Sequence, residues 1–317
     1  MISYCIIIPS YNENKNLISL IKYLLRETKS SYNSLEAIYV VACNENVSDE
    51  SFIKLTEEFS NNKKIFILEE KFREGKAKAI NKALALSKAE IAFVHSADAF
   101  AESGFIDNFL KTFESDRRIG GITLRCTPIL INKKLPEIIS AHLWLLLNST
   151  LEELDKKGEV TQLGNDVYAF KKGIIEKLPD NVINEDAYIA LQILEKGFII
   201  KYLKDSCSYI LAAKTINDII KQRERIILGH RLNYKITKRH INSIKLLIFI
   251  SPFKALRIIR NYISNNFPLS IFIFLFITVL ESISTISGYI KFILGEDFLK
   301  WRIAYTTKEI HKYIPSD

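Results

Sequence analysis

Five short motifs, in a fixed order along the chain, set reactive side chains beside structural punctuation. An apolar run ends in Pro9-Ser10-Tyr11-Asn12-Glu13, and Arg73-Glu74-Gly75-Lys76 opens a helical pattern that continues through Lys78 and Asn81. Ser96-Ala97-Asp98-Ala99 directly follows an apolar run, Asn184-Glu185-Asp186-Ala187 begins another helical pattern, and Gln222-Arg223-Glu224-Arg225-Ile226 lies inside a long basic one. A strand-end carboxylate such as Asp98 can hold Mg²⁺ or Mn²⁺, which take oxygen ligands and bind phosphate readily; taken alone it is equally a turn or capping Asp. Adjacent acids at a helix start point in different directions. One of Glu185 and Asp186 can take a proton from a hydroxyl while the other orients or caps, and both also suit the plain role of first-turn acids favoured by the helix dipole. Gln222, Arg225 and Ile226 share a helix face at spacings of three and four, with Arg223 turned away by about a third of a turn. Arginine forks suit phosphate oxygens; the plain alternative is a solvated or membrane-facing basic surface.

The elements that must position these groups alternate. Tyr4-Cys5-Ile6-Ile7-Ile8 reads as a strand stopped by Pro9, and Asn12 or Asn14 can cap a helix whose apolar face is Leu17, Ile18, Ile21, Leu24 and Leu25. Ala37 to Val41, Ile65 to Leu68 and Ile91 to Val94 are further apolar strands; Ser48 can cap the helix after the second, and Gly75 to Leu86 is the helix after the third. Near-continuous apolar strands separated by amphipathic helices indicate a parallel sheet covered on both faces, with ligands bound at the carboxyl ends of the strands. Beyond Gly121 the pattern shifts. A helix over 136–154, a strand over 167–170, a helix over 186–195, a strand over 199–203 and a basic helix over 214–235 follow.

Lys and Arg total 44 against 36 Asp and Glu, and the excess is local: between Lys214 and Tyr262 twelve basic residues face only Asp218 and Glu224. Such a block beside apolar sequence suits an anionic membrane surface or a phosphate-bearing substrate. It carries no nucleic-acid-binding motif. Residues 267–290 are the most apolar stretch and long enough to span a bilayer, though Glu281 interrupts them and leaves a re-entrant or surface-lying segment open. Residues 244–263 carry Lys254, Arg257 and Arg260 to one side and Leu256, Ile259 and Ile263 to another, the pattern of an interfacial helix or an ordinary packed one. Trp301 and Tyr305 are candidate interfacial anchors. The four cysteines form no CxxC pair and suit small buried hydrophobes in a reducing compartment. The glycosylation-type triplets at Asn46 and Asn148 are expected to go unused.

Taken together, the order of the five motifs resembles the family 2 glycosyltransferases of GT-A fold over residues 4–235, and within them the branch of cellulose and hyaluronan synthases, which carry a strand-end DxD, an ED pair and a QxxRW helix. Leu163-Gly164-Asn165 before an apolar strand matches that branch too. The resemblance implies an α/β GT-A, Rossmann-like, mostly parallel sheet with helices on both faces, as a catalytic domain over 1–235. Membrane-associated helices over 236–317 would follow, with a candidate transmembrane segment at 267–290. It implies an inverting transfer of a sugar from a nucleotide-diphosphate donor, with Asp186 as base and Glu185 beside it. Pro9, Tyr11, Asn12, Glu13, Lys76, Ser96 and Asp98 would meet the donor, Asp98 would hold Mg²⁺ or Mn²⁺, and Gln222, Arg223 and Arg225 would meet the diphosphate and acceptor. Three positions depart from the pattern. Ser96 stands where the family has its first acid, Ile226 stands where it has Trp, and the loop after the second strand, through Asn44-Glu45-Asn46, lacks or displaces the acid that reads the nucleobase. Lys76 suits either a nucleotide contact or a solvated lysine, and His95 a satisfied strand-end histidine. The expected partners are the nucleotide sugar, a lipid-linked or saccharide acceptor and the membrane, with no nucleic acid. The basic flank places the catalytic domain on the cytoplasmic side. A processive polysaccharide synthase, a nucleotidyltransferase and an inactive membrane scaffold are the competing readings.

Overall fold

The computed structural model describes residues 2–45, 49–164, 166–265, 267–296 and 307–315. The expected caps at Ser48, the Asn46 triplet, Asn165 and the anchors Trp301 and Tyr305 lie outside these residues.

Strand β1 (Tyr4–Tyr11) sits between β2 (Leu35–Cys43) and β4 (Ile91–His95), parallel to both, and β3 (Ile65–Glu70) extends the parallel half. Its residues alternate between two cores. Cys5 and Ile7 belong to the apolar cluster on one face, while Tyr4, Ile6 and Ile8 belong to the cluster on the other, as the two-residue period of a strand requires. Pro9 does not stop β1. The strand runs on to Tyr11, with Pro9 opposite Val41, and so carries its end into the ligand crevice. Helix α1 (Asn14–Glu27) starts one residue after Glu13, and neither Asn12 nor Asn14 caps it. Asn12 instead takes a left-handed φ of 57° at the turn, and Asn14 donates from its side chain to Ser51.

Helices α1, α2 (Asp49–Phe59), α3 (Lys76–Leu86) and α4 (Phe105–Ser115) connect the first half, with the short strand β5 (Ala99–Ala101) after β4. The second half is mixed. β7 (Val167–Lys171) runs antiparallel to β4, and β6 (Ile119–Ile129) joins β7 antiparallel and β8 (Ile199–Leu211) parallel. The eight-stranded order is β3-β2-β1-β4-β7-β6-β8-β5. Because β7 is reversed beside β4, its start meets the end of β4, and the loops at Asp98 and Asp166 share one rim.

Helices α5 (Leu135–Asp155), α6 (Glu185–Glu195) and α7 (Ile216–Thr237) follow the predicted pattern, but the predicted helix over 244–263 is two, α8 (Ile244–Ile250) and α9 (Pro252–Asn265). Pro252 cannot donate to the preceding turn and breaks the helix at Ser251. Helix α10 (Leu269–Ile293) is, among the described residues, the one helix long and apolar enough to cross a membrane. The segment 307–315 returns to the α/β body, where Ile310 and Ile314 join the core beneath α1. The C-terminal helices are thus bracketed by contacts to the α/β body. The four thiols are buried and unpaired. Asn148 is buried and bonded through its side chain to the backbone of Cys126, which leaves no room for a glycan.

Helix α7 approaches the start of α6 closely at Gly229. A side chain at Gly229 would overlap the Asn184 amide, which donates to the Ile226 carbonyl at 3.0 Å. Gly229→Ala is therefore expected to destabilise the protein by ~1–3 kcal/mol, the usual range for overpacking, read as a lowered urea midpoint. An unchanged midpoint would show that α7 does not lie this close.

Candidate active site

The carboxyl ends of β1 and β4, the start of β7, the first turn of α6 and the middle of α7 surround one cavity of about 850 Å³. Of the residues singled out from the sequence, Pro9, Tyr11, Glu13, Lys76, Ser96, Asp98, Glu185, Asp186, Gln222, Arg223 and Arg225 all line it. Asn12 does not. Its role is the turn that ends β1, where its backbone N–H donates to the Cys43 carbonyl at 2.9 Å.

The cavity floor is a set of buried acids held by two lysines. Lys76 Nζ lies 2.7 Å from Glu185 and donates to Ser96 Oγ at 3.2 Å. It is thus an internal cation at the first turn of α3, not a solvated lysine. Ser96, in the place of an acid, accepts a hydrogen bond from Lys76 and is itself hydrogen-bonded to Asp166. Lys308 Nζ lies 2.6 Å from both Asp98 and Glu13. Burial opposes ionisation of Asp98, but Lys308 and then Lys76 outweigh it and hold its carboxyl below the usual range. Burial pushes Glu13 up to about 7, against the pull of Lys308 and with the repulsion of Asp98. Asp166 is raised by burial and by Asp98.

Asp186 differs from Glu185 in its surroundings. The Glu185 carboxylate is taken up by Lys76 and by the Tyr168 hydroxyl at 3.4 Å. Asp186 is half-buried and lines the cavity. Burial, then the neighbouring Glu185 charge, raise its carboxyl to about 6, with Lys76 and Arg225 opposing. That suits a proton acceptor working near neutral pH. Asn184, the residue before them, ties this turn to α7 through the Ile226 carbonyl, and Asn233 donates back to the Asn184 carbonyl at 2.9 Å. His95 is buried and donates from Nδ1 to the Ser96 carbonyl at 2.9 Å; burial lowers it to about 4, so it stays neutral and structural.

Over the far end of β1, the Arg73 guanidinium lies 4.5 Å above the Tyr11 ring. The Tyr11 hydroxyl donates to Glu45 at 3.1 Å, and the Arg73 amide donates to the same carboxylate at 2.6 Å. Glu45 is the acid that the loop after β2 brings to this end of the crevice. Arg225 points inward, close enough to favour ionisation of Asp166 and Asp186. Arg223 also borders the cavity, but its guanidinium is paired with Glu281 of α10. Trp144 of α5 lines the cavity beside Leu143 and Leu147, so a flat ring is present although Ile226 has none.

Several of these groups had no sequence signal. Lys308 lies 210 residues from Asp98 in a stretch without any motif. Asp166 had one available sign, its place just before the β7 strand.

A divalent cation suits Asp98 in one specific way. Among the described residues no three acids, His or Cys converge as an all-protein metal cage. Mg²⁺ and Mn²⁺ need only one or two carboxylates when phosphate oxygens and water complete the shell. The Asp98 carboxylate lines the cavity and is kept ionised by the neighbouring Lys308 and Lys76 ammonium groups.

Comparison with known proteins bears on the family and the fold. Residues 5–178, more than half of the chain, match the family described as Glycosyl transferase family 2, and residues 158–300 match Glycosyl transferase family group 2. No curated protein sequence matches. Among solved structures, a mannosyltransferase, PcManGT from Pyrobaculum calidifontis in complex with GDP-Man and Mn2+, has a similar fold at 16% identity and a TM-score of 0.61, over 93% of this chain and 88% of that one. GalNAc-T7 with UDP, GalNAc and Mn2+ is similar at 13% identity and a TM-score of 0.50, over 66% of this chain and 43% of that one. With the GT-A-type sheet, the crevice at its strand ends and a family match over more than half its length, this chain belongs to glycosyl transferase family 2.

Proposed function

We propose that this glycosyltransferase moves a sugar from a nucleotide-diphosphate donor to a membrane-held acceptor, with inversion at the anomeric carbon and with Asp186 as the base. The observation that carries the reading is the division of labour in the pair at α6: Glu185 is bonded to Lys76 and Tyr168, while Asp186, raised to about 6, faces the cavity.

Asp186 takes the proton of the acceptor hydroxyl as its oxygen attacks the anomeric carbon. The bond from that carbon to the diphosphate breaks, and the electron pair leaves on the diphosphate. Lys76 and Arg225 provide fixed positive charge on the side where that charge develops. Asp98 would hold Mg²⁺ or Mn²⁺, which would neutralise the diphosphate when bound. Tyr11, Arg73 and Glu45 form the end of the crevice suited to the nucleoside. Trp144 offers a ring face to a sugar. The apolar wall of α5, α8 and α10 on the other side of Asp186 suits a lipid carrier or a lipid-linked saccharide. The basic, apolar C-terminal region fits the anionic cytoplasmic leaflet.

The defining experiment incubates the purified protein with a panel of nucleotide sugars and Mn²⁺ and follows nucleoside diphosphate release. Asp186→Asn should lower turnover by about 10²–10⁴-fold with donor affinity largely retained. For the parent protein kcat/KM should rise with pH through about 6 and then level, because the base must be deprotonated and its carboxyl is raised to about 6. A flat profile from pH 5 to 8 would remove Asp186 from that role.

The Lys308 position yields a second expectation. Lys308→Ala leaves the buried Glu13 and the half-buried Asp98 without the cation they share, a loss that is destabilising when an enclosed pair is broken. Adding Mn²⁺ should then raise the melting temperature of Lys308→Ala more than that of the parent, and Asp98→Asn should abolish the effect. Equal, small shifts in all three proteins would refute a metal at Asp98.

The product is expected to carry one added sugar, or very few. A polymer channel needs several membrane helices around it, and the described residues offer one candidate. Donor in excess over lipid extract, with products sized by mass spectrometry across protein concentrations, should give a discrete species. A ladder to tens of units would establish a synthase instead.

A further inference from the structure

We infer that α10 does not cross the membrane: it lies along the surface of an anionic bilayer and, with α8 and α9, forms a monotopic docking face. The first ground is its neighbour. Helices α7 and α10 run side by side in the same direction. Ile216, Ile219 and Ile220 share a cluster with Ile273, Ile277 and Leu280; Arg223 pairs with Glu281; the Arg231 guanidinium lies 4.4 Å over Tyr289 and the Lys235 ammonium 5.3 Å over Phe292. Any path of α10 through hydrocarbon would carry α7 with it. Over that stretch α7 bears Lys221, Arg223, Glu224, Arg225, Arg231 and Lys235, charges that a bilayer core does not accept in such number.

The second ground is that both flanks of α10 belong to one body. Before it, α9 is held to α5 by Arg257 with Glu153 at 2.9 Å and by the Tyr262 hydroxyl with His142 at 2.7 Å. After it, the Lys308 carbonyl accepts from Asn16 at 2.7 Å while its ammonium sits on Asp98. Residues 294–306 lie between, and a returning helical span needs about 20 residues.

The third ground is the division of the helix itself. Ser270, Ile273, Ile277, Glu281, Ser284 and Gly288 are buried, whereas Phe272, Leu275, Val279, Ile286 and Ile293 are exposed at spacings of three, four and seven along the opposite face. Phe249 of α8 and Phe253 of α9 extend that face, 83% and 84% exposed. Its charge selects the occupant. From Lys235 to Glu296 the sequence holds eight basic residues and two acids, Glu281 and Glu296; Glu281 is buried against Arg223 and Lys245, and Glu296 lies exposed just past the end of α10. An apolar face on a background of net positive charge complements anionic lipid. Phe249 and Ile286 also line the active-site cavity, so the crevice opens onto this face.

The test reads topology with no donor present and so is independent of turnover. Cysteines are placed singly at the ends of α10, Asn265→Cys and Leu294→Cys, with Ser115→Cys on the exposed end of α4 as reporter of the catalytic body; the native thiols are buried. Full-length chains in sealed membrane vesicles are treated with an impermeant maleimide. Both ends should react from the same side as Ser115→Cys. Reaction of the two ends from opposite sides overturns the inference. In parallel, Leu275→Asp/Val279→Asp should lower partition onto phosphatidylcholine vesicles containing phosphatidylglycerol by about tenfold or more, with the thermal midpoint unchanged. Undiminished partition, or a parent that self-associates without binding vesicles, also overturns it.

Discussion

Five acids, Glu13, Asp98, Asp166, Glu185 and Asp186, converge on one buried crevice, and like charges at such range in a low-dielectric site repel strongly. The fold meets this with cations drawn from outside the local sequence. Lys76 comes from the first turn of α3 and reaches Glu185; Lys308 comes from the far end of the chain and reaches Glu13 and Asp98. The sheet topology is what makes the convergence unavoidable. Parallel β1 and β4 end at the same rim, and reversed β7 begins there, so the residues just beyond or before those strand ends meet. The C-terminal segment is consequently part of the active-site body, anchored by Asn16 and by the burial of Ile310.

Helix α7 serves two neighbours at once. One side presents Gln222 and Arg225 to the cavity; the other presents Glu224 to α10, where it pairs with Lys291 at 2.6 Å, and Arg223 lies between, bordering the cavity while paired with Glu281. Adjacent positions on a helix point about 100° apart, so a run of alternating charges can face two partners without competition. Gly229 permits the close approach to Asn184 that locks the start of α6, and hence the acid pair, to this helix. A displacement of α7 would therefore be felt at Asp186 through two hydrogen bonds.

The parallel half of the sheet and the helices α3, α5, α6, α7 and α10 were legible because their apolar periodicity is long and regular. The motif residues were legible because each sits at an element end. What periodicity could not reveal is long-range and electrostatic. Nothing local to Lys308 indicates its pairing with Asp98, and β5 is too short to show a pattern. Pro9 reads as a strand stop, yet β1 continues through it, since the missing N–H is one bond among the many of a central strand. The one-residue break at Pro252 was legible in principle, from the proline itself, and was obscured by the continuous amphipathic pattern on either side. Lys76 was ambiguous because a first-turn lysine looks the same whether water or a carboxylate awaits it.

Glu281 links the site to the lipid-facing surface. The two charged residues of α10, Glu281 and Lys291, both turn inward: Arg223 and Lys245 pair with Glu281 from α7 and α8, and Glu224 of α7 pairs with Lys291. Once Glu281 is turned inward, the period of 3.6 residues places Leu275, Val279 and Ile286 outward. The same ion cluster holds α8 against α10, and the space between those helices is the apolar end of the cavity that holds Asp186. The orientation of the docking face and the shape of the apolar end of the crevice thus share the same buried pairs, and breaking those of Glu281 would disturb both.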